Sequence, residues 1–476
     1  MFGAGFAPER LTTGKVIAGA VMTGLLTLET LGQAVEDGQI DTVLMAAVDM
    51  QGRLMGKRFH AAHFVNGGWR ETHCCNYLLT VDMEMNTVPG YASASWEQGY
   101  GDYTLKPDLA TLRRLPWLPG TALVLCDILD HHGHADVPQS PRAILKRQIA
   151  RAQAMGFTPM MATELEFFVF QNGYDALRDG GVRDLQPISG YNEDYHLFQT
   201  TKEEPLMRAL RNGLYAAGIA VENTKGEAEA GQAEINLRYT DALAMADAHV
   251  LVKQATKEIA HALGLSVTFM AKYATDRAGS SSHVHQSLAG KDGVPAFHDP
   301  ADPHGMSALM RHYLAGQLAH AREITLFLAP YVNSYKRFTT GLFAPTKAVW
   351  SRDNRTAGFR ICGEGSAAVR MECRIGGADL NPYLALAAQL AAGLDGIEKA
   401  MELEPELRGD MYQAEAVREV PKTLREAADL AAGSDWLRAA LGADVVDHYV
   451  HAARWEIAEN DRAVTDWDLQ RGFERA

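Results

Sequence analysis

The hydrophobic and polar positions fall into two regimes along the chain. Up to about residue 134 the apolar positions mostly alternate. "DTVLMAAVDMQGRLMGKRF" reads as two strands joined around Gln51–Gly52, a hairpin signal, and "GTALVLCDILDHHG" reads as a further strand. A helix over 26–38, ending near Gly38, precedes them, after a mobile lead-in. From about residue 137 helical spacing takes over. Ser140 and Pro141 open a helix in "SPRAILKRQIARAQAMGF", since proline suits the first helical position. The spacing predicts further helices over 202–217, 241–263, 305–329, 381–402, 421–432 and 443–459. Strands are expected among them at 161–170, 232–240, 266–273, 283–289 and 368–376. The expected fold class is α+β, with a small β-rich unit over 25–136 and a large domain over 137–476.

Composition narrows this reading only a little. The 476 residues are 47% hydrophobic and 22% charged, as in an ordinary soluble globular protein. A formal net charge of −14 argues against a partner that is nucleic acid or an anionic membrane. It does not exclude an anionic substrate, because divalent metals and local arginines can reverse the field inside a site. The apolar stretch "VIAGAVMTGLLTL" is too short to span a bilayer, and it lacks the basic start and cleavage pattern of a signal peptide. Five cysteines occur, none in a paired zinc spacing. Reduced thiols in a cytoplasmic protein are the expectation.

The strands carry unusual charge. "MATELEFFVF" places Glu164 and Glu166 two apart in an apolar run, so both face one side of a strand. "KGEAEAGQAEINLRY" adds Glu227, Glu229 and Glu234, and "AGSSSHVHQSL" adds His283 and His285 on one strand face. "VRMECRI" puts Arg370, Glu372 and Arg374 on one face, while Arg337, Arg355 and Arg360 lie in "NSYKRFTTGLFAP" and "SRDNRTAGFR". Taken singly, each is most simply a solvated sheet face or a surface ladder of ion pairs. Brought together on one sheet, the carboxylates would repel strongly unless cations sat among them. Hard oxygen ligands with one imidazole suit Mg²⁺ or Mn²⁺. Several arginines beside two metals are equipment for handling phosphoryl groups. No Walker or Rossmann glycine motif is present, so a nucleotide would be held in another way.

The order of these segments resembles the glutamine synthetase family. The resemblance runs from about Asp49 to beyond Tyr383 and includes "GYGDYTLKPDLATLRRLPW", the Glu-x-Glu strand, the "GQ-x-E" segment, "GSSSHVHQSL", "NSYKR", "DNRTAGFR" and "NPYLALAAQLAAGLDGI". It implies an N-terminal β-grasp domain and a catalytic domain with a curved antiparallel sheet. It also implies a homo-oligomer, a dodecamer of two stacked hexameric rings with sites between neighbouring subunits.

Carried over by position, Glu166, Glu227 and Glu234 match the ligands of one metal, and Glu164, His283 and Glu372 those of the other. His285 and Ser287 match nucleotide-contacting positions, and Arg355, Arg360 and Arg370 match the arginines around the phosphates. Gly279, Arg337 and Arg374 match groups that hold glutamate. Asp82 corresponds to the aspartate that binds and deprotonates the amine, and Tyr195 lines the same pocket. Glu229 matches no ligand. The implied substrates are ATP, glutamate and an amine, with Mg²⁺ or Mn²⁺ as the metal.

Two departures bear on the amine and the acid. The family's asparagine beside the glutamate-binding glycine is Ala278 here. The flap glutamate of ammonia-using members falls on Phe343, which favours an organic amine over ammonia. The leading expectation is therefore an ATP-dependent γ-glutamyl amide ligase. An ammonia-using glutamine synthetase and a catalytically silent homologue stand as the alternatives.

Overall fold

Two sheets carry the strands of the computed structural model, which describes residues 24–182 and 184–476. The lead-in, with most of "VIAGAVMTGLLTL", lies outside the described residues. The first sheet comprises β1 (Thr42–Val48), β2 (Leu54–His60), β3 (Thr72–Cys75), β4 (Asp102–Pro107), β5 (Arg113–Arg114) and β6 (Thr121–Asp130). Its order is β2-β1-β6-β4-β3, with β5 also pairing with β6, and β1 runs parallel to β6. The β1–β2 hairpin turns where the sequence places it. Asp49 Oδ1 accepts the backbone N–H groups of Gln51 and Arg53, and Gly52 supplies the positive φ (79°) that closes the turn.

The second sheet is larger. It comprises β7 (Phe157–Phe170), β8 (Val221–Gly226), β9 (Gln232–Leu237), β10 (Thr240–Asp241), β11 (Ser266–Thr268), β12 (Ser282–Gly290), β13 (Trp350–Arg352), β14 (Phe359–Cys362) and β15 (Arg370–Cys373). The main order is β13-β14-β15-β12-β7-β9-β8. The 14-residue β7 is its spine, paired with β12 on one side and with β9 on the other. The sheet departs from the antiparallel expectation at one edge, where β13 runs parallel to β14.

Helices fall within a few residues of the predicted spans, at Glu204–Ala216, Ala242–Ala262, Ala308–Leu328, Pro382–Glu398, Leu424–Ala432 and Ala443–Arg462. The expected strands 266–273 and 368–376 shrink to β11 and β15, because the remaining residues form loops around the polar site. β3, β4, β8, β13 and β14 carry little alternation and were not expected from the sequence pattern.

Opposite ends of the chain are tied by buried polar contacts. Asn381 Nδ2 donates to the carbonyls of Asp49 and Met50, each at 3.1 Å, fixing the β1–β2 turn on the helix that follows Asn381. Arg142, in the helix Pro141–Ala154, is buried against Asp127 of β6 (2.6 Å), Asp108 (2.7 Å) and Asp247 (3.1 Å). All five cysteines are free. Among the described residues, no helix is long and apolar enough to cross a membrane.

Candidate active site

Register decides which side chains share a face, since directly opposed residues on paired strands point to the same side. Glu164 of β7 lies opposite His283 of β12, and Glu166 lies opposite Glu234 of β9. His285 lies opposite Glu372 of β15, and Glu372 lies opposite Arg360 of β14. One face of the second sheet therefore carries Glu164, Glu166, Glu234, His283, His285, Glu372 and Arg360. The alternate residues Leu165, Phe167, Val284, Ile235 and Met371 face the other way and are fully buried. Burying that apolar side holds the charged side in register, because a one-residue slip would exchange the two.

The donor atoms converge in two groups. Glu164, His283 and Glu372 offer atoms within 4.8 Å of one another, and so do Glu166, Glu234 and His283. The first trio is the one expected from sequence. The second contains His283 where Glu227 was expected. Glu227 is instead ion-paired with Lys225, whose Nζ also lies 3.2 Å from Asp194 Oδ1. Lys225 stands opposite Glu234 on the acidic face. Sequence reasoning missed it: Lys225 lies in β8 and Glu227 in the turn that follows, so no strand alternation relates the two.

The charges are held by specific partners. Glu164 bridges the two imidazoles, at 3.2 Å to His283 Nδ1 and 2.8 Å to His285 Nε2. Burial opposes its charge, but the bonds to His283 and His285 hold its carboxyl below the usual range. Burial acts on Glu372 in the same way, and Arg374 outweighs it, leaving the carboxyl down at about 2. Burial pushes Glu166 up to about 7, reinforced by the negative charge of Glu227 and opposed by Ser281. Glu234 is pushed up to about 9 by burial and by Glu227, Glu164 and Glu166. His283 is lowered to about 4 by burial and by Arg374, so its imidazole is neutral and able to ligate. Two carboxyls that keep protons near neutrality and a neutral imidazole form a hard donor set that a divalent cation would satisfy. The residues fit the metal that the resemblance implies.

Around this cluster, Ser281 N donates to Glu166 Oε2 at 2.8 Å and its hydroxyl reaches Glu166 Oε1. Gln232 Nε2 donates to Gly279 O at 3.0 Å. Neither supporting role was read from the sequence, though the run of serines before His283 hinted at the first. Arg360 reaches Glu372 at 3.1 Å, and Arg370 Nε reaches His285 Nδ1 at 3.2 Å. Arg374 Nη1 contacts Glu372, and Arg337 is buried with its guanidinium on the carbonyls of Arg374, Ile375 and Gly376. Gly279 is required by that packing: a Cβ there would lie 2.4 Å from Arg337 Cγ and 2.5 Å from Ala271 O. Ser287 follows His285 on the same strand face, opposite Met160.

Three expected residues lie at or beyond the rim. Arg355 is exposed. Phe343 is 58% exposed and held at a φ of 53° in the 339–346 loop. Tyr195 is also exposed, with Lys225 Nζ 4.6 Å from its ring centre. Asp82 lies apart from the cluster. It accepts backbone N–H groups from Glu84 and Asn86 and lines a cavity of about 70 Å³ with Tyr91, Tyr331, Tyr449, Trp455 and Glu456.

An acidic and arginine-rich face of this kind, on this sheet order, defines a class. The glutamine synthetase catalytic domain matches residues 138–472, and the chain belongs to the glutamine synthetase family. It is 49% identical over 451 residues to gamma-glutamylethanolamide synthetase GlnA4 of Streptomyces coelicolor, covering 94% of this chain and 96% of that protein. It is 36% identical over 440 residues to glutamate–isopropylamine ligase of a Pseudomonas species, covering 92% and 96%. A solved structure described as apo GmaS without ligand superimposes with a TM-score of 0.81 at 27% identity, covering 93% of this chain and 99% of that one.

Proposed function

We propose that the chain is an ATP-dependent ligase that joins an organic amine to the γ-carboxylate of glutamate. The observation that carries this reading is the convergence of Glu164, Glu166, Glu234, His283 and Glu372 beside Arg360, Arg370 and Arg374 on one sheet face. The similarity to an ethanolamide synthetase and an isopropylamine ligase supports an amine larger than ammonia. Residues 25–136 are read as a β-grasp domain and 137–476 as the catalytic domain. The working form is read as a cytoplasmic dodecamer of two hexameric rings.

The reaction has two steps. The γ-phosphoryl group of ATP passes to a γ-carboxylate oxygen of glutamate, leaving ADP and an acyl phosphate. The amine nitrogen then attacks that carbonyl carbon, phosphate departs, and an amide remains. Arg337 and Arg374, with the Gly279 backbone, hold the acid. His285 and Ser287 contact the nucleotide. Arg355, Arg360 and Arg370 face its phosphates and stabilise the charge that builds during transfer. Glu164, His283 and Glu372 would hold one Mg²⁺ or Mn²⁺, and Glu166 and Glu234, joined by Glu227 once it leaves Lys225, would hold another; the ions would supply positive charge to the transferring phosphoryl group. Asp82 of a neighbouring subunit takes the proton that the amine must lose before it attacks, and Tyr195 lines that pocket.

Phe343 offers the incoming amine apolar area worth about 1.5–3 kcal/mol when buried, and an aromatic face in place of a carboxylate. The test is phosphate release from ATP with glutamate and, one at a time, ammonium, methylamine, isopropylamine, ethanolamine, putrescine and aniline. Release that requires an organic amine is the expected result. Release supported best by ammonium would return the chain to the ammonia-using reading.

A further inference from the structure

The turn between β8 and β9 sends one carboxylate across to the loop that precedes β12. Glu229 Oε1 accepts the backbone N–H of Ala278 at 2.9 Å, and Oε2 accepts from Arg277 Nη1 at 3.2 Å. The next residue, Gly279, lies against Arg337, and its carbonyl takes the Gln232 amide. A carboxylate and a guanidinium thus flank the same two residues, Ala278 and Gly279. Alanine at 278 has no polar side chain to offer a substrate there. The Glu229 side chain keeps 18% of its surface open and the Arg277 side chain 43%, so the pair is reachable from solvent. Each carboxylate oxygen retains a second lone pair after these bonds. An isolated surface ion pair would contribute little, but Glu229 also fixes a backbone amide beside the glycine that Arg337 packs on.

We propose that Glu229 is the counter-charge for the α-ammonium group of the acid substrate, so that the site selects α-amino dicarboxylates over plain ones. The inference rests on the glutamate reading above. Arg337 and Glu229 then meet the two ends of a zwitterion, across the short loop that both contact. In this role Glu229 replaces the polar contact that Ala278 cannot make.

Calorimetry tests this without any amine, by titrating glutamate and glutarate (the same diacid without its α-ammonium) into the full chain with Mg²⁺ and ADP. Wild type is expected to bind glutamate at least about tenfold more tightly than glutarate. Glu229→Gln keeps an acceptor for the Ala278 N–H and removes the charge. It should lose at least about tenfold in glutamate affinity, keep its glutarate affinity, and melt at the wild-type temperature. Equal losses for both acids would mean that Glu229 only shapes the loop, and unchanged binding of both would mean that it does neither; either result overturns the proposal. Glutamate binding that depends on Glu229, in a protein that accepts no amine, would refute the ligase reading and leave this one standing.

Discussion

Glu166 anchors the second of the two donor groups, with Glu234 and His283. It faces Glu234 across the β7–β9 pair, takes two bonds from Ser281, and keeps a proton near neutrality that a cation would displace. Glu166→Ala is expected to lower kcat at least about a hundredfold, on the scale of losing one transition-state stabiliser. Near wild-type turnover of that variant in limiting Mg²⁺ would remove Glu166 from the ligand set. The pairing of Glu164 with Glu166 was legible because alternation is a short-range property. The capture of Glu227 by Lys225 was not, because it depends on how the β8–β9 turn places two long side chains. A second residue-scale prediction concerns Glu203, which is buried, with its carboxyl pushed up to about 9 by burial and by Glu193. The folded protein keeps a proton that the unfolded chain releases near the ordinary value of 4.5. Stability from this group is therefore full below that value and is lost as pH rises toward 9. Melting temperatures from pH 5 to 9 should fall in wild type and fall less in Glu203→Gln; parallel curves would contradict this.

Among the elements, the helix Pro141–Ala154 ties the first sheet to the helix Ala242–Ala262 through Arg142. Its guanidinium meets Asp108, Asp127 and Asp247 with almost no exposure, and Tyr383 hydroxyl donates to Asp247 at 2.6 Å. Arg142→Met leaves the carboxylates without their cation and should cost about 3–5 kcal/mol, read from urea unfolding. A loss below about 1 kcal/mol would place the junction's stability elsewhere. The start of this helix was readable from Ser140 and Pro141, and the long helices from their periodicity. Strands β13 and β14 were not readable: they are three and four residues long and are held by neighbours distant in sequence. The polar residues that line the site interrupt the alternation that marks a strand. For the same reason β11 and β15 came out shorter than the sequence pattern predicts.

At the scale of the molecule, Asp82 shares a cavity with Tyr331, Tyr449 and Glu456 rather than with the carboxylate cluster. The proposed completion of the site by a neighbouring subunit would account for that separation. Asp82→Ala and Glu166→Ala chains, each inactive alone, should regain activity when unfolded and refolded together. Random assembly of a closed ring would complete roughly a quarter of the sites. No recovery in mixed rings would place Asp82 outside the reaction.

The central claim is that this member of the family prefers an organic amine to ammonia. Phe343, exposed in the 339–346 loop, is the residue of this chain proposed to set that preference. The direct measurement is a competition in one vessel, with glutamate, ATP, Mg²⁺ and equal concentrations of ammonium, ethanolamine and isopropylamine, with products quantified by mass spectrometry. A γ-glutamyl alkylamide should exceed glutamine by at least about tenfold, a difference near 1.4 kcal/mol in transition-state binding. The ratio should move toward glutamine in Phe343→Glu. Glutamine as the main product of the wild-type protein would contradict the account.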